Sequence, residues 1–221
     1  MPFPVAHRPR LGARVLVRSY VRRYIKAIFA ELSDWMEDAV NRTSNLLLFS
    51  IIYAEDFMVQ FMDEMLVGMY RVVLQKDNKV LMKNIPASFR YLGRYCMPYT
   101  YEKLVIPAIS NELASCFAHT QAGALKGFGY IFRGAVEMLP ESEDFSKVEQ
   151  LLKSFMQAVK DHVVDSLDLE LAEILVGTFN EIASSLLVKQ NEGVSPSWLI
   201  RPYLTDIMLS CLKALATFQS F

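Results

Sequence analysis

Apolar residues recur along this chain at helical spacing, most clearly between Met58 and Val73. Met58, Phe61, Met62, Met65, Leu66, Met69, Tyr70 and Val73 fall at i, i+3, i+4, i+7, i+8, i+11, i+12 and i+15, which gathers all eight on one helical face. Before them the pattern predicts a first helix from about Leu11 or Tyr20 to Leu32, with Ser19 as a cap for the later start. A second runs from about Met36 to Tyr53 and buries Leu46, Leu47, Phe49 and Ile52. A fourth follows Asp77 to about Tyr95, with a kink or a late start at Pro86. Pro98 and Thr100 open a fifth, with Thr100 as a candidate cap before Tyr101 to Cys116, bent at Pro107. His119 or Thr120 opens a sixth, where Gly123, Ala124, Gly127 and Gly129 would let helices approach closely. Beyond the acidic stretch Pro140 to Asp144, helices are expected over about 145–164 and 167–188, and a last one from Trp198 to about Phe218. No period-2 alternation extends far enough to suggest a sheet.

Two stretches of this pattern match one another 43 residues apart. In the first, the turn Ser33-Asp34-Trp35 leads into a helix carrying Ser44, Phe49 and Ser50; in the second, Asp77-Asn78-Lys79 leads into one carrying Ala87, Leu92 and Gly93. A two-helix unit with a period in the low forties is the mark of HEAT or armadillo arrays, so the expected fold is an all-α solenoid of antiparallel helix pairs. Residues 1–10 form a basic N-terminal segment, 11–139 about three pairs, and 140–221 about one and a half more of the same solenoid. The unpaired last helix and the absence of polar capping repeats suggest a piece of a longer array. Such arrays are mostly surfaces that hold other proteins, which lowers the odds of catalysis.

The composition agrees. The chain is 52% hydrophobic with a mean hydropathy of +0.21, as expected where each helix is covered on more than one side. Its longest apolar run, Leu46 to Ala54, is interrupted by Ser50 and falls well short of the roughly 20 residues that span a bilayer. Cys96, Cys116 and Cys211 are odd in number and far apart, so buried reduced thiols are expected rather than a disulfide framework or a metal site.

Charge is lopsided. The first 30 residues hold Arg8, Arg10, Arg14, Arg18, Arg22, Arg23 and Lys26 and no acid, while the rest carries 16 basic against 24 acidic residues. Arg10, Arg14, Arg18, Arg22 and Lys26 recur every four residues, and like charges at that spacing repel by about 0.2–0.5 kcal/mol per pair unless something acidic meets them. Three readings stay open: a rim that touches a preceding repeat or an acidic protein partner, a transit peptide, or a nucleic-acid footprint. The first is favoured, because Tyr20 to Leu32 already fits as a repeat helix and no second basic cluster exists.

No catalytic or cofactor motif emerges. His7, His119 and His162 are dispersed, and neither GxSxG nor GxxxxGK[ST] occurs. Gly127-Phe128-Gly129 lacks the third glycine of a nucleotide loop. The acidic groups Glu55-Asp56, Asp63-Glu64 and Glu141/Glu143/Asp144 read as helix starts and solvated faces, with Glu55 and Asp56 opening the third helix, where the helix dipole favours negative charge. The methionines at 58, 62, 65 and 69 read as core rather than as a promiscuous groove.

The segments LGARVLVRS (11–19), ELSDWMEDAVNRTSNLLLFSIIYAED (31–56), the following FMVQFMDEMLVGMYR helix and YCMPYTYEKLVIPAI (95–109) resemble, in this order, the HEAT-repeat axonemal dynein assembly factor family. In that family an Asp-Trp turn leads into a helix ending in a Leu-rich stretch and His-Ala-Glu-Asp; here Tyr53-Ala54-Glu55-Asp56 stands in its place. The resemblance implies a cytoplasmic, non-enzymatic factor without cofactors, which helps pre-assemble dynein arms for motile cilia and engages dynein intermediate and heavy chains and chaperones. It implies structural roles for the turns: Asp34 and Asp77 as caps, and Trp35 packed on a neighbouring repeat or, less favoured, exposed as a binding anchor. Candidate protein-binding residues are therefore Arg10, Arg14, Arg18, Arg22, Lys26 and Trp35. A generic HEAT adaptor (a transport receptor or phosphatase scaffold) and a tubulin-binding array are the alternatives; membrane and nucleic acid are not expected partners.

Overall fold

A computed structural model describes residues 7–32, 36–112, 118–138, 145–164, 168–191 and 199–219. Those residues form helices α1 (Leu11–Glu31), α2 (Glu37–Ala54), α3 (Met62–Val72), α4 (Lys79–Tyr95), α5 (Pro98–Ile109), α6 (Ala118–Met138), α7 (Ser146–Ala158), α8 (Leu169–Asn191) and α9 (Leu204–Gln219). A 3-10 turn, Glu55–Phe61, leads into α3, and a π turn, Val159–Val163, extends α7. Helices α2, α4, α6 and α8 pack side by side in one layer, and α1, α3, α5, α7 and α9 flank it in a second. This is the HEAT-type all-α solenoid that the hydrophobic period predicts.

The buried positions give the repeat its true register. In α2 the buried set is Val40, Thr43, Ser44, Leu47, Leu48, Ser50, Ile51, Ile52 and Ala54, and shifting the first eight by 41 residues reproduces the buried set of α4, from Leu81 to Gly93. Shifting that set by 43 lands on buried residues of α6, from Ala124 to Val136. The match of Ser44, Phe49 and Ser50 with Ala87, Leu92 and Gly93 is thus two residues out of step. Phe49 is exposed and Leu92 fully buried, because inter-helix turns vary in length while the buried face cannot.

Close packing rests on glycine. A Cβ added at Gly93 would lie 1.9 Å from the Ile131 carbonyl oxygen, and one at Gly134 1.8 Å from that of Arg90, so α4 and α6 cross backbone to backbone. Gly123 meets the Tyr70 carbonyl of α3 in the same way, and Gly127 faces the Phe89 ring, as the small residues of the sixth helix suggested. Further along, Phe155 of α7 stacks on Phe128 of α6 (centroids 4.0 Å apart) and meets Phe179 of α8 edge-on, joining the later helices to the same core.

Several boundaries differ from expectation. Ser19 lies inside α1 and bonds back to the Val15 carbonyl. Asn78, not Asp77, caps α4, accepting from the Val80 and Leu81 amides. That helix begins at Lys79 and continues through Pro86. α5 starts at Pro98, whose missing N–H costs nothing in a first turn, and Thr100 bonds to the Met97 carbonyl instead of capping. It stops at Ile109, not Cys116: Asn111 adopts φ 59°, its amide bonds to the Ala108 carbonyl, and the Glu112 amide bonds to that of Pro107, a Schellman stop. Asp34, Trp35, Cys116 and the 140–144 stretch lie outside the described residues. The four methionines of the stripe are core, each at most 1% exposed. By length and composition Glu37–Val72 is apolar enough to cross a membrane, but half of that stretch is buried in the fold and it breaks at Glu55.

Candidate functional site

The arginine row of α1 meets a carboxylate that the chain holds in an unusual conformation. α2 ends at Ala54, and Glu55 takes φ 56°, ψ −128°, a region costing roughly 1–3 kcal/mol for a residue other than glycine. The bend buries the carboxylate, whose side chain is 4% exposed, beneath three guanidinium groups. Arg8 grips it with two bonds, Nε to Oε1 at 2.6 Å and Nη2 to Oε2 at 2.8 Å. Arg14 Nη1 donates to Oε2 at 2.8 Å, and Arg18 Nη2 donates to Oε2 at 3.1 Å and to Asp56 Oδ1 at 2.6 Å. Burial by itself pushes the Glu55 carboxyl up; the bonds from Arg8 and Arg14 outweigh it and hold it below its ordinary value. Glu55 is therefore a buried, charged latch between α1 and the α2–α3 junction, not a solvated helix start.

The row continues at constant offset. Arg22 Nε donates to Gln60 Oε1 at 2.9 Å and its guanidinium lies 5.6 Å from the Phe57 ring centre; Lys26 comes within 3.9 Å of Glu64, both side chains exposed. Arg18, Arg22 and Lys26 thus face Asp56, Gln60 and Glu64, each 38 residues later. Two parallel rows at four-residue spacing are legible in the sequence once paired, a signal that a reading of the basic row by itself misses. Arg10, just ahead of α1, is exposed, and Trp35 lies outside the described residues. Of the six candidate residues, Arg14, Arg18, Arg22 and Lys26 have partners within the chain, so what answers the like-charge repulsion of α1 is its own next repeat.

A second charged row crosses the α4–α6–α8 layer. Arg90 makes a two-point pair with Glu137, which Arg94 and Arg133 also approach, at 3.8 and 3.6 Å, and Arg133 reaches Glu181 at 3.2 Å. Arg90 and Arg133 stand 43 residues apart, the register of the two helices, so the repeat period carries this ladder too. Beside it Lys76 donates to Glu173 at 2.8 Å, while burial, aided by Lys76, holds the Lys126 ammonium below its ordinary value.

Of the cysteines, Cys96 is buried, and burial pushes its thiol up to about 12, so it is no nucleophile near neutral pH. Among the described residues, no group of three His, Cys, Asp or Glu side chains is placed to hold a metal ion. The site has the form of a charged, partly apolar surface.

Comparison with known proteins agrees with the solenoid. The family model described as Dynein axonemal assembly factor 5, HEAT-repeat domain, matches residues 2–137. Proteins named Dynein axonemal assembly factor 5 are similar at low identity: that of Xenopus laevis is 24% identical over 120 residues, 54% of this chain, and that of Homo sapiens 22% over 124 residues, 56% of it. The Mus musculus protein is 22% identical over 120 residues. Each match covers 14% of the relative, so the chain corresponds to a small part of these proteins' length. No solved structure matches.

Proposed function

The chain belongs to the family defined by the HEAT-repeat domain of dynein axonemal assembly factor 5, and from that membership we propose that it is a non-enzymatic scaffold or co-chaperone in the cytoplasmic pre-assembly of axonemal dynein arms. The observation that carries this reading is the overlap of the family match, residues 2–137, with helices α1 to α6, whose buried faces repeat in register. Dynein intermediate and heavy chains, together with chaperones, are the proposed partners. Solenoids hold partners on extended, repetitive faces, and this chain offers two: the charged ladder on α4, α6 and α8, and the arginine row of α1 with its neighbouring cleft.

Affinity purification of the tagged chain from ciliated cells, followed by mass spectrometry, tests the proposal. Enrichment of dynein intermediate and heavy chains with chaperones is expected. Recovery of tubulin or of nuclear-transport cargo, with neither dynein chains nor chaperones, would overturn it.

A further inference from the structure

The Glu55 latch forms the floor of a cleft of about 600 Å³, lined also by Asp56, Val59, Tyr95, Met97, Tyr99 and Met138. Three features of this cleft remain after the internal ion pairs are accounted for. Three guanidinium groups face two carboxylates, leaving an excess of one positive charge. The Nε atoms of Arg14 and Arg18 and the hydroxyl of Tyr95 are buried without a hydrogen-bond partner among the described residues. The rim is apolar and open to solvent: Tyr99 is 62% exposed, Met97 54% and Met138 47%. A basic floor under an apolar rim is complementary to a side chain pair of opposite character, one acidic and one aromatic or aliphatic.

We propose that this cleft docks a segment of a protein partner that presents a carboxylate next to an aromatic or aliphatic side chain. The carboxylate lies against the Arg8 and Arg18 guanidinium groups, the more exposed of the three, and the apolar side chain covers Met97, Tyr99 and Met138. A monoanion matches the single surplus charge. A phosphate dianion would meet the repulsion of Glu55 and Asp56, and a nucleic-acid backbone would run off onto a chain that carries 16 basic against 24 acidic residues beyond position 30. The inference is independent of which assembly the solenoid serves, because it rests on the cleft alone.

The test uses the full chain and a fluorescein-labelled peptide of alternating Asp, Glu and Phe, titrated by anisotropy at low ionic strength. Binding that weakens with salt is expected; Tyr99→Asp, at an exposed position, should weaken it about tenfold with melting temperature unchanged, and Arg8→Ala should weaken it as much while lowering the melting temperature, because it also removes a partner of Glu55. In methyl spectra, the Met97 and Met138 resonances should shift on titration, and a peptide with Asn and Gln in place of Asp and Glu should not move them. The proposal is overturned if the acidic peptide leaves these methyls unmoved, if both variants bind it as the unaltered chain does, or if single-stranded oligonucleotide or phosphatidylserine vesicles occupy the cleft in its place.

Discussion

Glu55 joins backbone strain, burial and charge at the junction of α2 and the turn that leads into α3. Its backbone is strained at φ 56°, its side chain is buried, and its charge is maintained by Arg8, Arg14 and Arg18. Replacing it with Gln leaves Arg8 and Arg14 without an anion and Arg18 with Asp56 alone, and should lower stability by about 2 kcal/mol in urea denaturation, less than the roughly 3–5 kcal/mol of a fully buried pair because Arg8 and Arg18 are partly exposed. Glu55→Gly should be less damaging than Glu55→Ala by about 1 kcal/mol, since glycine adopts the positive φ freely. The carboxyl is held below its ordinary value, so between the folded and unfolded values the unfolded chain binds more protons. Its contribution is thus complete above about pH 4.5 and fades as pH falls through the folded value. The unaltered chain should therefore lose more stability than Glu55→Gln on acidification from pH 6 to pH 3.5; equal losses in the two would rule out this role.

Among elements, the crossing of α4 and α6 is the tightest joint. Gly93→Ala and Gly134→Ala each force a methyl into a backbone carbonyl, which cannot turn aside as a flexible side chain would, and each should cost about 2–3 kcal/mol by thermal or chemical denaturation. Gly68 of α3 and Gly177 of α8 serve as the opposite case: a methyl there meets only open space, so alanine should stabilise each helix by about 0.5–1 kcal/mol through its better helix propensity. A measurement in which all four substitutions behaved alike would contradict the close α4–α6 approach. Helix length was legible only in part: Pro98 marks the start of α5, whereas in the apolar run before α3 Met58 and Phe61 fall in the 3-10 turn that precedes the helix. It was not legible at Asn111, because a Schellman turn needs only one residue at positive φ and leaves the helical pattern of its neighbours intact.

At the scale of the whole molecule, α9 leaves an apolar stripe uncovered by the described residues. This helix packs on α8 and buries Ala214 and Ser210, while Leu204, Met208, Leu209, Leu212 and Leu215 remain about half exposed. An apolar stripe of this kind favours association, so sedimentation should show self-association that grows with protein concentration. Met208→Lys with Leu212→Lys should suppress it without lowering the melting temperature, since both side chains are largely in solvent.

The all-α solenoid, the core role of the methionine stripe and the close packing of small residues in α6 were determined by the sequence itself. Each follows from a local periodicity, and periodicity decides which face of a helix avoids water. Even the α1 row, with Arg18, Arg22 and Lys26 each 38 residues before Asp56, Gln60 and Glu64, was present there as two matching four-residue patterns. What pairs with what was left to the tertiary structure. Burial set the repeat register at 41 and then 43 residues, where the matching turns suggested 43 for the first interval, and it turned Glu55 from a solvated acid into a buried latch. The reason is physical: a charge reads alike in sequence whether it faces water or arginine, and only the packing of a strained backbone against the neighbouring helix decides which.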